Sequence, residues 1–187
     1  MKKVIVLVAI SLLTFAHLSC EKEDNEQKKK NQFEIGNDTH ELSKGVLEYQ
    51  GLHGDSIRYG YSMDLLSSAV SYQARENYSD DNWPNFEFTG TGNWISFEFE
   101  SELKEDISGE YNDNWALFVT DYNFTDIVEH EVNWELKEDI WGYRPVQLNI
   151  NKISSDTYEI SFTYEGDNGN TLNGFYKGEL NHFDHSY

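Results

Sequence analysis

Thr157-Tyr158-Glu159-Ile160-Ser161-Phe162-Thr163-Tyr164, followed by Gly166-Asp167-Asn168-Gly169-Asn170, decides the fold class. Tyr158, Ile160, Phe162 and Tyr164 alternate with polar residues. A period of two puts one side of an extended chain in a core and the other in water. Asn168-Gly169 supplies the positive φ angles of a type I′ hairpin turn. Alternation then resumes at Leu172, Gly174, Tyr176, Gly178 and Leu180. Upstream, Val146, Leu148 and Ile150 form another such face, joined through Ser154-Ser155-Asp156. Val146 to Leu180 therefore reads as a three-stranded antiparallel meander. Glycines on the face of its last strand predict close approach by neighbouring side chains, or a bend.

The same period runs outward from this core. Ile57, Tyr59, Tyr61, Met63 and Leu65 alternate with polar residues and Gly60; Ile95, Phe97 and Phe99 alternate with Ser96, Glu98 and Glu100. Val128, His130, Val132, Trp134 and Leu136 form a further face, and Leu42 to Tyr49 a less regular strand. Trp115 to Val119 is apolar on both parities, which predicts a central strand covered on both sides. Met63 to Asn77 fits a helical face through Leu66, Val70 and Ala74, and a strand through Val70, Tyr72 and Ala74. We read it as a strand followed by a loop. Glu102-Leu103-Lys104-Glu105-Asp106-Ile107 recurs identically at 135–140, but one extra copy is too few for a repeat array. The expected fold is all-β: an antiparallel meander of nine or ten strands, as a lipocalin-like barrel or a flattened β-sandwich.

The chain has 187 residues and a formal charge of -20, which becomes -22 without Lys2 and Lys3. Such a surface repels nucleic acid, whose phosphates require clustered Lys and Arg. Cys20 is the only cysteine, so no disulfide can staple the domain. Its stability must come from a core in which aromatic residues, 15% of the chain, supply much of the area.

Lys2 and Lys3 precede an apolar run from Val4 to Ala16, 13 residues long and too short to span a bilayer as a helix. A charged start, a short apolar run and a small residue describe a secretory signal over 1–19. Cys20 resembles the lipidated cysteine of a bacterial lipobox, with Ser19 as the small residue before it. Leu18 and His17 depart from the commonest pattern, as in the looser boxes of Bacteroidota lipoproteins. Lys22-Glu23-Asp24 resembles the Bacteroidota surface-export signal. Residues 20–32, charged and without an apolar side chain to bury after Cys20, read as a disordered tether, and 33–187 as a single domain. The patterns Thr157 to Phe162, Asp167-Asn168-Gly169 and Gly174-Phe175-Tyr176-Lys177-Gly178 resemble small Bacteroidota surface lipoproteins. That resemblance implies a lipocalin-like or β-sandwich domain and no particular activity. It also implies a lipid anchor in the outer membrane, facing the cell surface.

No nucleophile elbow, His-Glu-x-x-His pattern or phosphate-binding glycine loop occurs. With 34 acidic residues, a pair at glycosidase spacing arises by chance and discriminates nothing. The expectation is a non-enzymatic binding or accessory protein with no cofactor and no metal. Its partners would be a membrane, through the anchor, and a glycan or an outer-membrane protein. Candidate sugar-stacking rings are Trp83, Trp94, Trp141 and Tyr143, near Asp, Asn and Arg side chains. Core capping is the structural alternative for these rings. Asp80-Asp81-Asn82 and Asn112-Asp113-Asn114 are oxygen-rich segments read as Asx turns in preference to calcium loops. His182-Phe183-Asp184-His185 reads as a frayed tail, and His130 as a core histidine. The alternative function is a calycin-like carrier holding a small apolar ligand in a cavity lined by Tyr59, Tyr61 and Tyr176.

Overall fold

The computed structural model describes residues 29–52, 57–74, 86–124, 143–165, 169 and 171–184. The signal segment, Cys20 and Lys22-Glu23-Asp24 lie outside the described residues, as do the predicted strand Val128–Leu136 and the second hexapeptide copy. Eleven strands are described: β1 (Gln32–Ile35), β2 (Asp38–Glu41), β3 (Lys44–Leu52), β4 (Tyr59–Leu66), β5 (Ser71–Ala74), β6 (Phe86–Thr89), β7 (Thr91–Ser101), β8 (Gly109–Asn123), β9 (Tyr143–Lys152), β10 (Thr157–Glu165) and β11 (Thr171–Asp184). The all-β expectation holds.

Nine strands form one sheet in the order β10-β9-β8-β7-β4-β3-β11-β1-β2, and β10 also pairs with β11. The sheet thus folds back over itself into facing layers, a flattened sandwich and not a regular barrel. The predicted meander is β9-β10-β11, paired in sequence with Ile160 opposite Ile150 and Tyr176. β11 is long because it serves three neighbours. Residues 171–179 pair with β10, 172–175 with β1, and 180–184 run parallel to β3. Every other pairing is antiparallel.

Alternate residues of the long strands meet in one core. Phe33, Met63, Phe97, Phe118 and Phe162 are buried there, with Phe97 and Phe162 ring centroids 4.9 Å apart. The glycine reading of β11 is borne out at Gly174. It faces Phe162 directly across the β10–β11 ladder, and a Cβ placed on it would overlap the ring. The missing side chain is the space that Phe162 occupies.

A second core lies on the other face. Strands β5 and β6 form a separate two-stranded sheet with no ladder to the main one. Phe86 and Phe88 from this hairpin cover Val46, Leu66 and Trp94. Leu117 and Val119 of β8 pack against that cluster while Ala116 and Phe118 enter the first. This is why Trp115 to Val119 reads as apolar on both parities. The stretch from Met63 is a strand to Leu66, a turn closed by Val70 N–H to Ser67 O at 3.3 Å, then β5. The expected loop is therefore a second short strand. The side chain that commits it is Val70, fully buried beneath the hairpin.

Gly174→Ala should destabilise the domain by about 1–3 kcal/mol, the usual cost of overpacking a filled core. Adding Phe162→Leu should return part of that loss. Urea midpoints of the single and double variants check this, and an unchanged Gly174→Ala midpoint would contradict it.

Candidate functional site

Three connections share one end of the sheet: β3–β4, β7–β8 and β9–β10, together with the end of β11. The β7–β8 connection, 102–108, is the first hexapeptide copy, and it is pinned from several sides. Ser101 Oγ accepts from Leu103 N–H at 3.2 Å and donates to Asp106 O at 3.3 Å. Tyr61 OH donates to Lys104 O at 2.5 Å, and Tyr111 OH to Ile107 O at 2.8 Å. Lys152 Nζ donates to Glu105 O at 3.1 Å. Ile107 is buried and plugs the end of the first core. A polar loop thus becomes a fixed wall, with a cleft on each side.

The larger cleft, about 680 Å³, opens on the side of β4, β7 and β8. Gln50, Glu98, Glu100, Glu110 and Asn112 contribute amides and carboxylates, and Tyr111 a half-buried ring. Phe99 backs that ring at 4.7 Å and is itself stacked on Tyr61 at 5.7 Å. Arg58 lies 3.6 Å from Glu100 across its mouth, both exposed. Asp106 also lines it. Hydrogen bonds from Ser108, including N–H to Oδ1 at 2.9 Å, hold its carboxyl below the usual carboxylate range. Such a group is a standing anion and a poor proton donor. Burial of the Tyr111 phenol raises its proton affinity and keeps it a neutral donor.

The smaller cleft, about 410 Å³, lies at the end of the sheet between Tyr49, Tyr158, His182 and Asp184. Its two lysines are already engaged. Lys104 Nζ sits 4.3 Å from the Tyr49 ring centroid and 3.7 Å from Asp184, and Lys152 Nζ sits 5.9 Å from the Tyr158 ring. Partial burial lowers the His182 proton affinity.

The sequence-derived candidates divide. Trp94 is corrected: it is 1% exposed and packs against Phe88 and Phe124 beneath the hairpin, so it offers no face to a sugar. Its polar parity on β7 was misleading because the outer face of that strand is itself covered. Trp83 and Trp141 lie outside the described residues, as do Asp80-Asp81-Asn82, His130 and His185. Tyr143 begins β9. Asn112-Asp113-Asn114 is part of strand β8, where the ladder to β9 shifts register, and is not a turn between strands. Among the described residues no group of three or more His, Cys, Asp or Glu could hold a metal ion. Tyr61 and Tyr176 are buried members of the first core. Tyr176 OH donates to Glu179 O at 2.8 Å, and its burial pushes the phenol up to about 12. The side cleft was missed in the sequence, although Glu98, Glu100 and Glu102, in step opposite Phe97 and Phe99, mark its wall.

Compared with protein-family models, curated proteins and solved structures, the chain matches none.

Trp94 has a second consequence. Its Nε1–H donates at 2.8 Å to Asp64, a buried carboxyl. Burial raises the Asp64 pKa from 3.8 to about 6, against the pull of Trp94 and of Ser96. Ser96, directly opposite on β7, has a buried hydroxyl without a well-formed hydrogen bond. The folded state holds the proton more tightly than the unfolded chain. The stability this adds is full below pH 3.8 and is lost as pH rises through about 6. Asp64→Asn keeps the acceptor for Trp94 and adds a donor for Ser96. It should exceed the wild type in stability by on the order of 2 kcal/mol near pH 7.5, with the gain shrinking toward about pH 5. Urea denaturation at the two pH values checks this, and a pH-independent difference would contradict it.

Proposed function

We propose that this is a lipid-anchored, cell-surface, non-catalytic binding protein whose side cleft takes a neutral glycan. The side cleft carries the reading. Its volume of about 680 Å³ suits a short saccharide. Carboxylates and amides from Glu98, Glu110, Gln50 and Asn112 suit ligand hydroxyls, and the Tyr111 ring, supported by Phe99, suits the apolar face of a sugar. The same carboxylates disfavour an anionic polymer. Asp106, held as an anion by its Ser108 hydrogen bonds, is a further acceptor for ligand hydroxyls.

The anchor and the surface placement rest on Cys20 and on Lys22-Glu23-Asp24. The segment between Cys20 and β1, which begins at Gln32, would act as a tether and let the cleft reach ligands beyond the membrane surface. In this reading the protein captures envelope or environmental polysaccharide, or presents it to an outer-membrane partner.

Glycan arrays with the purified chain test the proposal. Retention of a neutral oligosaccharide is expected, weakened about three- to tenfold by Tyr111→Ala and by Glu98→Gln. Trp83→Ala and Trp141→Ala, made in parallel, report whether those loop rings extend the site. No retained glycan, or unchanged retention by the Tyr111 and Glu98 variants, would count against it.

A further inference from the structure

The outer face of the β9–β10–β11 meander carries a strip of uncharged side chains. Register sets them in two cross-strand rows, Gln147–Thr163–Asn173 and Asn149–Ser161–Phe175. Gln147, Asn149, Thr163 and Asn173 are exposed, and Ser161 and Phe175 are half-buried. Charges frame the strip. Glu159 and Lys177, 3.0 Å apart, face each other in the next row, and Glu34 of β1 stands beyond Asn173. In a chain that is 26% Asp, Glu, Lys and Arg, six adjoining outward positions without a charge are a departure.

Strand propensity does not account for this choice. Asn is depleted in strands, where β-branched and aromatic residues pack better on the pleated surface. Nor does internal bonding account for it. Thr163 Oγ1 donates to Gln147 Oε1 at 3.4 Å, but the amides of Asn149 and Asn173 make no hydrogen bond among the described residues. Residues that break a local rule without a gain for the fold mark functional positions. The β9–β10 and β10–β11 ladders also run without a bulge, unlike β7–β8 and β8–β9, so these side chains stand at regular intervals.

The strip is continuous with the side cleft. Glu110, which lines the cleft, is the neighbour of Asn149 across the β8–β9 ladder. Glu110, Asn149, Ser161 and Phe175 therefore form one row over four strands, about 14 Å long at the usual inter-strand spacing. A straight row calls for a straight ligand. A β-1,4-linked pyranose chain is extended, and its rise per sugar is close to one inter-strand step; an α-1,4-linked chain coils away. Sugar hydroxyls both donate and accept, as amides do, and the Phe175 ring offers an apolar surface for stacking. Lys29 Nζ lies 5.1 Å from that ring centroid, a contact weak enough at an exposed site for a sugar to replace it. A second copy of the chain fits less well, because a face-to-face pair sets the acidic frames of the two strips against each other.

We infer that the strip continues the side cleft into an extended groove for an uncharged, β-1,4-linked polysaccharide, with one end in the cleft and the chain running along Asn149 and Ser161 to Phe175. This rests on the reading of the cleft as a glycan site, and adds to it the length and linkage of the ligand.

Calorimetry with the purified chain tests it, using β-1,4-linked gluco-, manno- and xylo-oligosaccharides of two and six residues. For at least one series, the six-residue chain is expected to bind about tenfold or more tightly than the two-residue chain. Phe175→Ala and Asn149→Val should each weaken the six-residue ligand about three- to tenfold and leave the two-residue ligand unchanged. Val is a better strand former than Asn, so the unfolding midpoint of Asn149→Val should not fall, and lost binding by that variant is not lost folding. Tyr111→Ala, in the cleft, should weaken both lengths. Equal affinity for the two lengths, or a length gain untouched by the Phe175 and Asn149 changes, would overturn the groove and leave the cleft reading standing. Failure of all three series would also overturn it, whereas the cleft reading falls only if the glycan array retains nothing.

Discussion

Phe162 fills the place where Gly174 has no side chain, and the fold depends on that contact. It lets the Phe162 ring lie across the backbone of β11 at the β10–β11 ladder, where the sheet turns back over itself. It also sets Phe162 against Phe97 from the facing strands. With Cys20 as its only cysteine, the chain has no cross-link to substitute for this packing. The aromatic residues are therefore the main store of cohesion, and the interior is committed to packing. The clefts are left to the surface and to the connections that rim it.

Those connections are rigid for a reason that follows from the same core. The 102–108 loop is acidic and would be mobile by composition. Ile107 enters the core, and the phenols of Tyr61 and Tyr111 tie the loop carbonyls to β4 and β8. Burial raises the proton affinity of both phenols, which keeps them neutral donors over the whole physiological range. Cleft walls are thus made from core residues, and the polar lining is held in place by strands and the hydrogen bonds of their connections.

The sequence disclosed the fold through its strictest regularity. Tyr158, Ile160 and Phe162 could face inward only as a strand, and the apolar run from Trp115 to Val119 correctly announced two covered faces. The same logic, followed through, would have placed Trp94 under cover. It shares the outer face of β7 with the side that meets the hairpin, and single-strand parity does not reveal which outer faces are roofed. Asp64 was hidden for the same reason: alternation marks it as polar and outward, whereas it is buried beside Trp94 on that covered face. The side cleft was not legible because it joins β3, β4, β7 and β8, and its walls, from Gln50 to Asn112, depend on the register between those strands.

The Gly174 α protons report the governing contact most directly. In the NMR spectrum of the folded protein, one of them should be displaced upfield by the Phe162 ring current and show a strong NOE to that ring. Ordinary glycine shifts with no such NOE would mean that the sheet does not close over its aromatic interior in this way, and the clefts built on that closure would have to be redrawn.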